Sequence, residues 1–198
     1  MHAKLKSLAV SLVLILLLLG GVWMLLSAGE GAQAVQAQST TRYVSAISGS
    51  DSGTCATQSA PCRTIQYAVD QAASGDELHI AAYEVTLSGG LPPTIITTTA
   101  RYTGTGDNVV TLEKSLHLRG GYVYAPATGL WSPGLTPAQV DGEGARRPLH
   151  VSGVTATLEL LSFVNGAAER GGNVYAEDAT VTFRATPVLS GVATYGGG

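Results

Sequence analysis

The chain has 198 residues, enough for one domain. Charged residues make up 13%, about half the ~25% of soluble domains, and acids outnumber bases 14 to 11. That balance excludes the basic excess of a nucleic-acid binder. The 45% hydrophobic content excludes a highly charged disordered chain, and no heptad pattern supports a coiled coil.

The N-terminus has the three parts of a secretory signal. Lys4 and Lys6 precede an apolar run from Leu8 to Leu26, and small residues follow in two cleavage frames, Ala32-x-Ala34 and Val35-x-Ala37. The run is long enough to cross a bilayer, so residues 1–37 are read as a signal peptide or a membrane anchor. Either way the remainder is expected to leave the cytosol, touching a membrane only through this segment. Removing Lys4, Lys6 and Glu30 with those residues leaves 9 basic and 13 acidic side chains. What remains is rich in Thr, Ala, Val and Gly, a composition suited to strands and tight turns.

Residues 38–75 are expected to hold a strand, a clipped loop and a helix. Arg42–Ile47 alternates as a short strand, and Ser48–Thr54 is rich in turn residues. Cys55 and Cys62 lie in a polar loop of an exported chain, which favours a disulfide over a zinc pair that has no nearby His. After Pro61, the spacing of Ile65, Ala68, Val69 and Ala72 predicts an amphipathic helix of about three turns, stopped at Ser74-Gly75. Its apolar stripe needs a partner, and the open end of the β region beginning at Asp76 supplies one.

Residues 76–198 repeat. Leu78-His79-Ile80, Leu116-His117-Leu118, Leu149-His150-Val151 and Val174-Tyr175-Ala176 can be superposed at offsets of 38, 33 and 25 residues. Ala156–Leu160 matches Ala179–Phe183 at an offset of 23, whereas Gly166–Gly172 matches Gly191–Gly197 at 25, which implies a two-residue insertion. The unit is too short for a propeller blade and lacks a leucine-rich ladder. Short strands between Gly/Asn turns fit a parallel β-helix, with longer segments such as Tyr122–Pro137 emerging as corner loops.

Several motifs carry a resemblance across about residues 42–198. They include Tyr43-Val-Ser, Pro61-Cys62, Thr64–Val69, Gly75-Asp76, Leu118–Tyr122, Val140–Gly144 and the Gly-Gly-x-Val-Tyr-Ala segment at 171–176. Together they resemble bacterial secreted right-handed β-helix repeat proteins, similar to polymorphic outer-membrane proteins and sharing the pectin-lyase-like fold. The resemblance implies an all-β solenoid whose N-terminal end is plugged by the helix after the Pro-Cys corner. Tyr195–Gly198 corresponds to Arg170–Asn173, after which a strand is due, so the chain reads as C-terminally truncated.

Three groups are chemical candidates. His79, His117 and His150 each sit between aliphatic residues and should point outward on neighbouring rungs. Stacked ~4.8 Å apart, their imidazoles could bind Zn²⁺ or Cu²⁺; the simpler reading is a solvent-facing column. Tyr122, Tyr124 and Trp131, with Tyr102, are candidates for a ligand-binding platform that stacks sugars, or for packing beneath a corner loop. Asp141-Gly-Glu143 is either half a calcium site or catalytic pair, or an ordinary turn.

No catalytic constellation and no cofactor is expected. The export segment, with the rigid ladder and corner loops that the resemblance implies, leads to the expectation of a secreted or cell-surface, non-catalytic module for adhesion, or for binding an extracellular polysaccharide or surface protein. The alternatives are a fragment of a polysaccharide lyase or glycoside hydrolase, and the remnant of a disrupted gene.

Overall fold

The computed structural model describes residues 38–195. The expected export segment, residues 1–37, and the final residues 196–198 lie outside the described residues.

The described chain is mostly strand. In chain order it forms β1 (Thr41–Val44), α1 (Ile65–Gln71), β2 (Glu77–Leu87), β3 (Ile95–Thr99), β4 (Arg101–Tyr102), β5 (Asn108–Leu112), β6 (His117–Ala125) and β7 (Leu130–Pro133). There follow β8 (Ala138–Asp141), β9 (Arg147–Ser152), β10 (Thr155–Glu159), β11 (Leu161–Val164), β12 (Ala167–Arg170), β13 (Val174–Glu177), β14 (Thr180–Arg184), β15 (Val188–Leu189) and β16 (Val192–Tyr195). Sheet A runs β1-β2-β6-β10-β14, sheet B β4-β8-β11-β15 and sheet C β5-β9-β13, while β12 and β16 form a pair. All of these pairings are parallel. The chain therefore visits A, B and C in turn, and each new strand lies beside the one left on the previous visit.

Two antiparallel hairpins interrupt this order, β2–β3 and β6–β7. The expected loop at Tyr122–Pro137 is in part such a hairpin, because Tyr122–Ala125 prolongs β6 and folds back through Thr128-Gly129 onto β7. Gly120 and Gly121 make the departure possible. A Cβ at Gly120 would stand 2.1 Å from the Leu160 carbonyl oxygen, and Gly121 has φ +79°.

The 25-residue period is uniform over the last two visits. Thr155 pairs with Thr180, Phe163 with Val188, Ala167 with Val192 and Leu149 with Val174. Ala156 lies opposite Val181 rather than Ala179, so the expected two-residue insertion does not occur. The corners repeat as well: Gly153 and Asp178, Leu160 and Ala185, and Asn165 and Ser190 all have positive φ. One left-handed residue between short strands turns the chain sharply enough to start the next sheet.

Inward residues interlock between the sheets. Leu78, Leu118 and Leu158 lie side by side in sheet A and are buried with Val110, Val140, Leu149, Val151 and Phe163. Each such side chain contributes roughly 1.5–3 kcal/mol by leaving water. Tyr102 is also buried, donating to the Val44 and Ala81 carbonyls at 3.0 and 2.8 Å. Burial pushes its phenol pKa well upward.

The N-terminal side is closed by two devices. The stripe Ile65, Ala68, Val69 and Ala72 is buried as the spacing predicts, but α1 has two turns rather than three and ends at Ala72, before Gly75. Thr64 caps its start by accepting from Tyr67 N, and Lys114 caps its end by donating to the Val69, Asp70 and Ala72 carbonyls. Gln66 of α1 then reaches the outer edge of β5, where its Oε1 accepts from Thr111 N at 2.7 Å. The second device is the disulfide Cys55–Cys62. Its loop lies along β1: Tyr43 N donates to Cys55 O, Cys62 N to Tyr43 O and Ser45 N to Cys62 O.

Buried polar groups on this side are paired. Arg42 meets Asp76 through Nε and Nη2 at 3.0 and 2.8 Å, and Asp76 also accepts from Thr40 N and Ala73 N. Burial would raise the Asp76 pKa, but those amide bonds and Arg42 outweigh it and hold the carboxyl below its usual range. Glu84 accepts from the hydroxyls of Ser45 and Ser48 and from Ser48 N.

Candidate functional site

Strand alternation turns every second residue of sheet A outward, and register lines these residues up. Glu77, His117, Thr157 and Thr182 form one column. Tyr43, His79, Arg119, Glu159 and Arg184 form a second. Between them run the inward Leu78, Leu118, Leu158 and Phe183. The result is a polar lattice with strand-to-strand spacings of ~4.8 Å across the sheet.

Polar contacts tie the lattice together. Glu77 Oε1 lies 3.0 Å from His79 Nε2 and 3.9 Å from His117 Nδ1. On its other side, His117 Nε2 is 3.5 Å from Glu159 Oε2, and Glu159 Oε1 is 3.5 Å from Arg119 Nε. Tyr122 Oη sits 2.9 Å from His79 Nε2, and the two rings stack with centroids 4.1 Å apart. Arg119 lies over the Tyr122 ring at 5.6 Å. Burial lowers the His79 pKa; Glu77 opposes that shift without overcoming it, so the ring is neutral at neutral pH.

The three expected metal-ligand histidines do not form one ladder. His79 faces Arg119, and His117 faces Glu77 and Thr157, so these two are diagonal neighbours on sheet A. His150 belongs to sheet C, between Thr111 and Tyr175, where it stacks on Tyr175 and meets Glu177 at 3.0 Å. Among the described residues, no group of three or more His, Cys, Asp and Glu side chains is arranged to hold a metal ion.

Tyr122, Tyr124 and Trp131 do come together, and Tyr43 joins them. Tyr122, Tyr124 and Trp131 are buried, and Tyr43 half-buried, rather than presented as a platform. Tyr124 stacks on Trp131 at 4.5 Å, and Trp131 Nε1 donates to Gln58 O. The cluster therefore fastens the β6–β7 hairpin to the loop of the disulfide, the corner-packing alternative. Asp141 is likewise buried in a structural role. It accepts from Arg101 Nε at 2.7 Å, Glu143 N at 2.7 Å and Asn165 Nδ2. Burial would raise its pKa, but these donors keep the carboxyl ionised below the usual range. Glu143 has φ +59° and leans toward Arg146, which makes Asp141-Gly-Glu143 a turn.

Sequence reasoning did not single out Glu77, Arg119 and Glu159 as one group with the histidines. The signal for them is the triplet polar-apolar-polar, repeated as Glu77-Leu-His79, His117-Leu-Arg119, Thr157-Leu-Glu159 and Thr182-Phe-Arg184. Comparison of the chain with protein-family models, with curated proteins and with solved structures finds no match.

Proposed function

We propose that the chain is an exported, right-handed parallel β-helix repeat protein of the pectin-lyase-like kind, similar to polymorphic outer-membrane proteins. Its task in this reading is to bind an extracellular polysaccharide or surface protein without turning it over. The repeated A, B, C order with parallel pairing supports the solenoid reading. Parallel crossovers within one sheet are right-handed in about 98% of cases, which supports the hand. The basic, apolar and small-residue order of residues 1–37 supports export.

The observation that carries the binding role is the lattice on sheet A. It offers acceptors and donors in alternation along one face, matched to an extended polar ligand lying across the strands. Binding of the full chain to a panel of neutral and acidic polysaccharides tests it. Arg119→Gln and His117→Ala are expected to weaken retention on the best ligand, and retention unchanged in both variants would remove sheet A from the reading.

A lyase or hydrolase reading draws on the same face. There Tyr122, His79 and Glu77 lie in hydrogen-bond reach of one another, and His117 Nε2 is buried without a hydrogen bond. Release of unsaturated products or new reducing ends from those polysaccharides would select it over the binding module.

A further inference from the structure

Beside the start of α1, where the chain passes from the β2–β3 hairpin into sheet B, lies a hollow of about 120 Å³. It is lined by Ala46, Arg63, Thr64, Arg101, Tyr102 and Thr103. Thr64 and Thr103 also line an adjoining polar cleft of about 540 Å³, whose wall continues along Gly104–Asn108. At ~30 Å³ per water, the hollow has room for about four waters, the size of one carboxylate or sulfate group. The cleft is in the range of small-ligand sites.

Two exposed arginines, Arg63 and Arg101, line the hollow, each held through a single guanidinium nitrogen. Arg63 is anchored by Nε to the Gly49 carbonyl at 3.0 Å, and Arg101 by Nε to Asp141 at 2.7 Å. Among the described residues, no protein acceptor takes the Nη atoms of either side chain. The nearby carboxylates are already committed. Asp51 accepts from Arg63 N, Thr64 N and Thr64 Oγ1, Asp141 is buried with Arg101 Nε as a donor, and Glu143, which also attracts Arg101, pairs with Arg146 at 3.6 Å. The rim is held by Arg146, which donates to the Gly104 carbonyl and more distantly to the Gly106 carbonyl. Asp107 lines the cleft and would repel a second negative charge there.

We propose that this hollow binds a single oxyanion, carboxylate or sulfate, carried on a ligand whose neutral polar body occupies the adjoining cleft. Guanidinium forks suit such an oxyanion because each can give it charge-assisted, bidentate N–H bonds. The site lies apart from the sheet A lattice and does not depend on it.

The test is a titration of the full chain in non-ionic detergent, following the arginine Nε–Hε resonances at constant ionic strength. Sulfate, acetate and glucuronate are expected to shift the Arg63 and Arg101 signals together and saturably, and glucose is expected to leave them in place. Glucuronate should saturate at lower concentration than acetate, because its ring fills the cleft. Arg63→Gln should raise the half-saturation concentration by about tenfold. Arg119→Gln, on sheet A, should leave it unchanged. A linear response, an Arg63→Gln chain that binds as well as the parent while folding normally, or an equal loss in Arg119→Gln would overturn the site. Equal affinity for acetate and glucuronate would overturn the role of the cleft.

Discussion

The first and last strands of the described chain carry the same inward pattern and reach different degrees of burial. Around β1 and β2, even charged groups are buried, and Arg42, Asp76 and Glu84 all find partners under the disulfide loop and α1. Around β14, β15 and β16, large apolar side chains face solvent: Phe183 is 42% exposed, Leu189 54% and Val192 70%, whereas Leu158, the direct neighbour of Phe183, is 0% exposed. The residues are equally suited to a core. The difference shows that the burial of a strand here depends on what lies on both sides of it and not on its own residues alone.

That contrast can be broken from its stable side. Asp76→Ala strips Arg42 of its partner in a buried site and leaves Thr40 N and Ala73 N without their acceptor. Equilibrium urea unfolding should show a loss of about 3–5 kcal/mol. The acid profile should change with it. A folded pKa below the unfolded value of ~3.9 gives stability that is complete above that value and disappears as pH falls through the folded pKa. The parent should therefore lose stability below about pH 4 more steeply than the variant.

A matched pair measures the contrast itself. Leu158→Ala should cost about 3 kcal/mol, within the 2–5 typical of buried leucine. Phe183→Ala, next to it and partly exposed, should cost about 1 kcal/mol despite removing a larger side chain. Equal costs would mean that β14 is covered in solution.

Removing the disulfide with Cys55→Ser and Cys62→Ser should cost about 2.5 kcal/mol, the chain-entropy value for so short a closure. The loss should appear first as hydrogen exchange at Tyr43 and Ser45, which bond to this loop. The smallest effect is a gain. Ala185 sits at φ +46°, which costs a non-glycine residue about 1–2 kcal/mol, so Ala185→Gly should raise stability by about 1 kcal/mol.

Much of the local structure was legible in the residues. The buried stripe of α1 and the 25-residue period over Gly166–Gly172 follow from spacing, and the disulfide from two cysteines in a polar loop of a chain expected to be exported. Register was harder to read. Setting Leu78 against Leu116 and Ala156 against Ala179 is wrong by two residues in both cases, because Leu78 pairs with Leu118 and Ala156 with Val181. A two-residue slip keeps every side chain on its own face, so the hydrophobic pattern cannot reject it; a one-residue slip would have been visible. The true register depends on where corners fall, and there Leu160 and Ala185 adopt positive φ with no Gly or Asn to announce it. His150 departs for a different reason: Leu149-His150-Val151 repeats the Leu-His-aliphatic triplet of sheet A but belongs to the preceding strand, in sheet C. The hairpins were hidden too, since Tyr122–Pro137 contains turn residues that fit a loop equally well.

The bond from Gln66 to Thr111 has a consequence for association between molecules. A margin strand normally offers its peptide groups to any extended segment that drifts past, which is how aggregation is seeded. At Thr111 the glutamine amide already occupies that position as a surrogate peptide, and the loop ending at Cys62 does the same for Tyr43 and Ser45. A foreign strand arriving on this flank would have to evict a covalently clipped loop and a helix before forming its first bond. Templated growth from this flank is thereby disfavoured, by side chains and loop rather than by charge.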